Sequence, residues 1–138
     1  MDFLPLVPEL YISDYQKSIH FYVDLIGFKV EYSRPSPRFA FLSYQGSQLM
    51  IQELMPGETE REKLEYPYGR GINFQIETTS VAKIINSLEN DNYPLRRGIK
   101  DNWYRNGDIE YGCREILVND PDGYLLRFSE DIGTRHGI

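Results

Sequence analysis

Few side chains in this chain combine the types and the spacing that catalysis requires. There are two histidines, His20 and His136, and one cysteine, Cys113. Cys113 has no histidine at a spacing that would activate it as a nucleophile, so a small buried thiol is the favoured interpretation. His20 falls in an amphipathic helical pattern and His136 in a polar tail, where surface or packing roles are expected. These residues alone predict neither a nucleophilic site nor a metal site.

Carboxylates and aromatic rings are the remaining groups that could do chemistry or bind a ligand. The carboxylates show no pairing motif for general acid–base catalysis; they include Glu53, Glu77, Asp108, Glu110 and Glu115. Aromatic residues make up 14% of the chain, with 11 tyrosines. Such rings serve either sheet packing or the wall of a ligand pocket. The rings that could meet a ligand are Phe39, Phe41, Trp103, Tyr104 and Tyr111, and plain sheet packing is an equally good interpretation of the two phenylalanines.

Length and composition limit the class of protein. A chain of 138 residues with 41% hydrophobic residues fits a single globular domain with a core. No apolar run approaches membrane-spanning length, the first residues lack a secretory pattern, and one cysteine fits a reducing compartment. We therefore expect a cytoplasmic protein without membrane association. The formal charge of −6 argues against nucleic-acid binding and favours neutral or cationic ligands.

The elements that must position these groups fall into two similar halves. In the first, Ser13 has the features of a helix N-cap with Gln16 at the capping-box position, and Gly27 fits the helix stop. In the second, Thr79 or Ser80 begins a helix with an apolar stripe. Period-2 patterns predict strands at 3–12, 28–33, 38–44, 48–54, 71–78, 93–100, 109–118 and 124–130, with a hairpin turn at 45–47. The order of elements indicates a duplicated β-α-β-β-β module.

Two segments lack a periodic pattern. The first, about 56–69, is charged and is predicted to be a surface linker between module 1, about 1–55, and module 2, about 70–131. The second, 101–108, is predicted to be a loop that carries Trp103 and Tyr104 among polar residues. These rings either fold back onto the core or form a lid over a pocket, since loops on a rigid sheet often carry binding residues.

A hairpin near the end of the chain carries the most specific motif. Pro121 presets φ for a tight turn in Asp120-Pro121-Asp122-Gly123, and Gly123 accepts a positive φ without steric cost. This motif resembles the last hairpin of the vicinal oxygen chelate superfamily. Other segments resemble the same superfamily at matching spacing: Val7–Asp14, Ser18–Tyr22 and Gly71–Glu77. That superfamily includes glyoxalase I, extradiol dioxygenases, fosfomycin-modifying enzymes and bleomycin resistance proteins.

The resemblance implies an α+β fold in which two paired β-α-β-β-β modules form a cupped mixed sheet around a ligand cleft. It also locates the positions at which metal-dependent members carry their ligands. Those positions hold Val7, Asn73 and Arg127 here, and only Glu53 on the fourth strand offers a carboxylate. Because metal catalysis needs about three protein ligands, we expect neither a metal nor any other cofactor.

The chain resembles the bleomycin resistance branch of this superfamily in three features: the absent metal ligands, Val7-Pro8 and Gly112–Gly123. Members of that branch bind the drug without modifying it chemically. The resemblance implies a homodimer in which the first strand crosses to the partner, hinged at Pro8, with clefts at the interface. Negative charge and aromatic rings would suit a cationic aromatic ligand. The expected ligand-binding residues are Phe39, Phe41, Glu53, Trp103, Tyr104, Tyr111 and Arg127.

Two alternatives stay open. In the first alternative to a binding protein, the chain is an enzyme of the same superfamily, of the lyase or dioxygenase type, that acts on an unknown metabolite. In the second, it is a subunit or sensor that uses its dimer surface.

Arg127 is expected to face the cleft, where it would meet an anionic ligand group or pair with Glu53.

Overall fold

The computed structural model describes residues 2–55 and 64–137. They form two compact units. The first contains the residues through Arg70 together with the turn Asp120–Tyr124, and the second contains Gly71–Asn119 and the residues from Leu125 onward. Each unit has one four-stranded mixed sheet and one helical segment. The predicted α+β class of paired β-α-β-β-β modules is confirmed. Part of the predicted linker, residues 56–63, lies outside the described residues.

The first unit has its sheet in the order β1-β4-β3-β2, with β1 parallel to β4 and the other pairs antiparallel. Its elements are β1 (Glu9–Ile12), α1 (Tyr15–Ile19) continued by a π-helical stretch (His20–Ile26), β2 (Lys29–Pro35), β3 (Arg38–Tyr44) and β4 (Ser47–Glu53). The first strand is shorter than the predicted 3–12. Pairing begins where the Met50 N–H donates to the Pro8 carbonyl, since the earlier segment contains Pro5, which has no N–H to donate.

The start of α1 differs from the prediction. Asp14, rather than Ser13, is the N-cap, and its side chain accepts from the backbone N–H of Lys17. Ser13 is engaged elsewhere, because its backbone N–H and its hydroxyl both donate to the carboxylate of Asp122. The predicted stop is confirmed, since Gly27 has φ +106° at the end of the π-helical stretch.

The second unit has its sheet in the order β5-β8-β7-β6, with β5 parallel to β8. Its elements are β5 (Asn73–Glu77), α2 (Val81–Asn90), β6 (Arg97–Asn106), β7 (Ile109–Asn119) and β8 (Leu125–His136). Ser80 is the N-cap of α2, as predicted, and accepts from the backbone N–H of Lys83. In the part of the chain that the structure describes, no helix is long and apolar enough to cross a membrane.

Two predictions about the end of the second module are wrong. The segment 101–108 is not a loop, because β6 runs through Trp103 and Tyr104 and pairs with β7 as far as Asn106. The last strand is longer than the predicted 124–130, because β8 continues to His136 opposite Ile109. Both regions are largely exposed, so they lack the apolar alternation by which strands are predicted.

The Asp-Pro-Asp-Gly turn is a closed polar network inside the first unit. Asp120 accepts from the Tyr22 hydroxyl at 2.7 Å and from the N–H groups of Asp122 and Tyr124, both at 2.9 Å. Gly123 has φ +93°, and a Cβ there would lie 2.6 Å from the Cα of Pro67, so a side chain does not fit. Burial raises the pKa of Asp120 to about 7. These hydrogen bonds fix the conformation of the turn. Because they and the bonds from Ser13 use the carboxylate oxygens of Asp120 and Asp122, none of these oxygens is left for a ligand.

Candidate binding site

The second sheet has one apolar and one polar face. Alternate residues such as Ile76, Ile116 and Phe128 are buried, and α2 contacts β7 and β8. The opposite face is defined by register, since Glu77 pairs with Ser129 and Ser129 pairs with Glu115. We call this surface the polar face. It comprises Asn73, Gln75, Glu77, Asn102, Tyr104, Tyr111, Cys113, Glu115, Arg127, Ser129 and Asp131.

A pocket of about 220 Å³ opens on the polar face. It is lined by Gln75, Glu77, Tyr111, Gly112, Cys113, Ser129 and Asp131. The carboxylate of Glu77 has neither a hydrogen bond nor an ion pair with any described residue, and Asp131 uses one side-chain oxygen to accept the Gly133 N–H at 2.8 Å. Two carboxylates and a tyrosine ring therefore face a small concave space, a combination that suits a ligand with a positive charge.

Next to the pocket, Glu115 is a buried carboxylate whose two oxygens differ. Its side chain is 1% exposed. One oxygen accepts from Asn102 Nδ2 at 2.5 Å and from the Tyr104 hydroxyl at 2.8 Å. The other oxygen lies 3.7 Å from Arg127 Nε and has no hydrogen-bond partner in the structure. Burial, followed by the hydrogen bond to Glu115, raises the pKa of Tyr104, so the phenol stays protonated and acts as a donor.

Arg127 faces the same surface, and no described residue accepts a hydrogen bond from its guanidinium. Its side chain is 31% exposed, and its Nε is buried without a hydrogen bond. The ion pair with Glu115 holds the guanidinium on one side. A guanidinium carries five N–H donors in a fixed fork, so its outer edge can bind an acceptor. The structure gives Arg127 a partner in Glu115, not in Glu53 as suggested by the sequence.

The residues at the family's metal positions do not fit a metal. Val7 has no donor atom in its side chain, Arg127 is a cation, and Asn73 offers one neutral amide oxygen. Among residues 2–55 and 64–137, no group of three or more His, Cys, Asp or Glu side chains is arranged to hold a metal ion.

The predicted site residues of the first unit have other surroundings. Phe39 and Phe41 are 1% and 2% exposed. The Arg34 guanidinium lies 3.9 Å from the Phe39 ring centroid, and the Phe3 ring packs edge-on against Phe41 at 5.2 Å. We call Phe3, Tyr32, Arg34, Phe39 and Phe41 the aromatic cluster. Its contacts satisfy both phenylalanines by packing within the unit.

Glu53 is engaged at the start of the first helix. Its carboxylate accepts the backbone N–H of Tyr15 at 2.8 Å. It pairs in register with Ile12, which is fully buried, and so points to the apolar side of the sheet. A negative charge at a helix N-terminus is favourable, which gives Glu53 a structural role that the sequence pattern did not reveal.

The three predicted rings of the second unit separate onto two faces. Trp103 pairs with Gly112, and a Cβ on Gly112 would lie 2.7 Å from the indole. The Arg135 guanidinium lies 4.0 Å from the Trp103 ring centroid. Tyr104 and Tyr111 pair with each other on the polar face, where Tyr111 lines the pocket. The register thus places Tyr104, Tyr111 and Arg127 on one face of the sheet.

Several residues of this site carry no pairing motif in the sequence, among them Glu77 and Glu115. Cys113 is half-buried and lines the pocket, whereas a small buried thiol is expected from the sequence. Alternation did contain a usable signal, because Ser129 and Asp131 follow Arg127 at spacings of two and four residues. The partners of Glu115 on β6 could not be found, since that strand was itself predicted as a loop.

The fold defines a class of protein built from paired β-α-β-β-β modules, and here the second module carries a pocket on its polar face. The matching family model is the Glyoxalase/Bleomycin resistance protein/Dioxygenase superfamily, over residues 6–128. The chain belongs to this superfamily.

Individual relatives agree with this assignment. The chain is similar to a lactoylglutathione lyase from Haemophilus influenzae, at 28% identity over 94% of this chain and 93% of the relative. Among solved structures, it is similar to TioX from Micromonospora sp. ML1, with a TM-score of 0.65 and 18% identity over 91% of this chain and 98% of that one. The fosfomycin resistance protein FosX from Listeria monocytogenes has a TM-score of 0.62 and 18% identity, over 95% and 94% of the two chains. These two structures support the fold.

Proposed function

We propose that this chain is a metal-free binding protein that sequesters a cationic, ring-bearing small molecule, such as a bleomycin-like drug, on its polar face. The observation that carries the proposal is the pocket in which Glu77 and Asp131 lie with Tyr111, on a face where family metal positions hold Asn73 and Arg127.

The electrostatics of the pocket support a cation as the ligand. Glu77 has no partner among the described residues, so a ligand cation gains an ion pair without displacing an existing one. Contact of a cation with the ring of Tyr111, which is 47% exposed, contributes roughly 0.5–2 kcal/mol. The formal charge of −6 also raises the local concentration of cations near the protein. A cytoplasmic location, which the single cysteine suggests, is part of the same proposal.

A homodimer with an exchanged first strand belongs to this proposal. The segment before Pro8 is apolar and exposed, with Phe3 at 61% and Leu6 at 81%, and a partner subunit could cover it. Light scattering after gel filtration measures the mass directly. A monomeric mass at a protein concentration 100 times the dissociation constant of the ligand would contradict the dimer. It would leave the pocket proposal intact.

Calorimetric titration with bleomycin tests the binding function. We expect saturable binding at micromolar drug with no change in the drug's mass. Glu77→Gln combined with Asp131→Asn should weaken it by tenfold or more, because both pocket charges are lost. Glu89→Gln, an exposed change on α2 of the same charge type, is the matched control and should bind as the unmodified protein does. The absence of a saturable heat signal at micromolar drug would contradict the drug-binding function.

A superfamily enzyme is the second candidate, favoured by the lactoylglutathione lyase relative that matches 94% of this chain. In that case the chain would act on a small metabolite with a metal held in an atypical way or with none. Metal analysis of protein purified without chelator, followed by a lyase assay, distinguishes the two. About one equivalent of metal per chain together with turnover would replace the binding function by the enzymatic one.

A further inference from the structure

We infer that the polar face recognises a ligand with two opposite charges: a carboxylate bound by Arg127 and an organic ammonium group bound between Glu77 and Asp131. This inference rests on the proposed function, since it names the chemistry of the ligand for the same face. It adds an anion-binding end that the cationic pocket alone does not require.

The anion-binding end depends on how Arg127 is held. Glu115 is fixed by Asn102 and Tyr104 through one oxygen, and its other oxygen faces Arg127 Nε at 3.7 Å. A buried carboxylate in this position orients the guanidinium and compensates part of its charge. No described residue accepts a hydrogen bond from the Arg127 guanidinium, so its planar outer fork is available for a carboxylate, which matches it in a bidentate manner.

The cation-binding end lies farther along the polar face, with Asp131 on β8 and Glu77 on the neighbouring strand β5. Glu77 and Asp131 both line the pocket, and Glu77 has no partner among the described residues. Tyr111 and Ser129 add a ring face and a hydroxyl to the same walls. An alkylammonium group can donate to the carboxylates while its methylene chain lies against the ring.

The strand geometry sets the distance between the two charges of the ligand. Arg127, Ser129 and Asp131 are successive positions on one face of β8, and Glu77 pairs with Ser129. A strand advances roughly 3.3 Å per residue, so the two anionic side chains lie about 7 Å and about 13 Å along the strand from Arg127. A ligand whose charges are separated by a chain of several atoms therefore fits, whereas an α-amino acid does not span the site.

A matched set of probes tests this inference: 6-aminohexanoate, 1-aminohexane and hexanoate, titrated into the full chain and followed by ¹H–¹⁵N NMR, including the Arg127 Nε–H signal. We expect 6-aminohexanoate to bind about tenfold more tightly than either single-charge probe, and to shift the Arg127 signal together with the amides of Glu77 and Asp131. Equal affinity for 1-aminohexane and 6-aminohexanoate would overturn the anion-binding end.

Variants connect the preference to Arg127. The double change Glu115→Gln with Arg127→Gln removes the charge pair without leaving a buried charge alone, and it should abolish the advantage of 6-aminohexanoate over 1-aminohexane. Arg135→Gln, on the opposite face of β8, is the control and should keep that advantage. An advantage retained in the double variant would refute the assignment. Since these probes do not involve the drug, absence of bleomycin binding would count against the proposed function alone.

Discussion

The two units begin their helices in the same way, which shows how much of the duplicated module is scaffold. Asp14 accepts the N–H of Lys17 at 3.1 Å, and Ser80 accepts the N–H of Lys83 at 3.2 Å. Each N-cap thus bonds the third residue beyond it, in front of an apolar helix face.

The last strand of each module repeats this similarity with a carboxylate. Glu53 at the end of β4 accepts the N–H of Tyr15 at 2.8 Å, and Glu130 on β8 accepts the N–H of Val81 at 2.9 Å. Both glutamates satisfy a helix N–H that has no partner within its helix. β4 and β8 correspond to strands that carry metal ligands in the metal-dependent members of the family. In this chain, the carboxylates of these two strands support the helices.

The units differ on the sheet surface away from the apolar core. The first carries the aromatic cluster, where Phe39 and Phe41 are almost fully buried. The second carries the polar face, with a pocket and an incompletely bonded pair, Glu115 and Arg127. Packing and satisfied caps indicate a structural role, whereas unbonded donors and acceptors indicate a binding role. The comparison supports a structural role for the aromatic cluster and agrees with the proposed ligand binding at the polar face.

The largest effect expected from this division concerns Phe39. Phe39→Ala removes a fully buried ring under the Arg34 guanidinium and should lower the free energy of unfolding by about 3–5 kcal/mol. Urea unfolding measures this loss, and the affinity of the folded fraction for the probes should be unchanged. A small stability loss with a large loss of affinity would instead place Phe39 in the ligand site.

The next largest effect concerns the charge pair of the polar face. Glu115→Ala leaves Asn102 and Tyr104 without their acceptor and Arg127 without its ion-pair partner, and it should cost about 2–4 kcal/mol. Glu115→Gln keeps an acceptor for two donors and should cost less. If both variants unfold at the same urea concentration as the unmodified protein, Glu115 does not organise this face.

A helix or strand could be predicted from the sequence where one of its faces is buried, because burial of one face produces a periodic apolar pattern. β5 alternates Phe74 and Ile76 with polar residues, and α2 has an apolar stripe, so both were predictable. The ends of β6 and β8 are exposed on both faces and have no such signal. Glu115 was visible as a residue, but its partners come from strands distant in sequence, and only the register brings Asn102 and Arg127 to it.

A smaller effect should appear in the pH dependence of stability. Because burial raises the pKa of Asp120 from 3.8 to about 7, the folded chain binds a proton that the unfolded chain has released between those pH values. The stabilising contribution is therefore complete below pH 3.8 and is lost as the pH rises to about 7, by at most about 1.4 kcal/mol per pH unit.

Asp120→Asn removes this titration while keeping an acceptor for the turn. The difference in free energy of unfolding between the variant and the unmodified protein should grow in favour of the variant from pH 4 to pH 7, as measured by urea titrations at each pH. A difference for Asp120→Asn that stays constant over this pH range would contradict the raised pKa of Asp120.

The smallest effect tests whether the two helix starts are equivalent. Asp14→Ala and Ser80→Ala each remove one N-cap hydrogen bond and should each cost about 1 kcal/mol. Because Glu53 and Glu130 still hold the first helical N–H in the variants, neither helix should be lost, and circular dichroism should show unchanged helix content before unfolding. A cost several times larger in one unit than in the other would show that the duplicated caps have diverged as the sheet faces did. Since each cap is local, the costs of Asp14→Ala and Ser80→Ala should add in the double variant within about 0.5 kcal/mol.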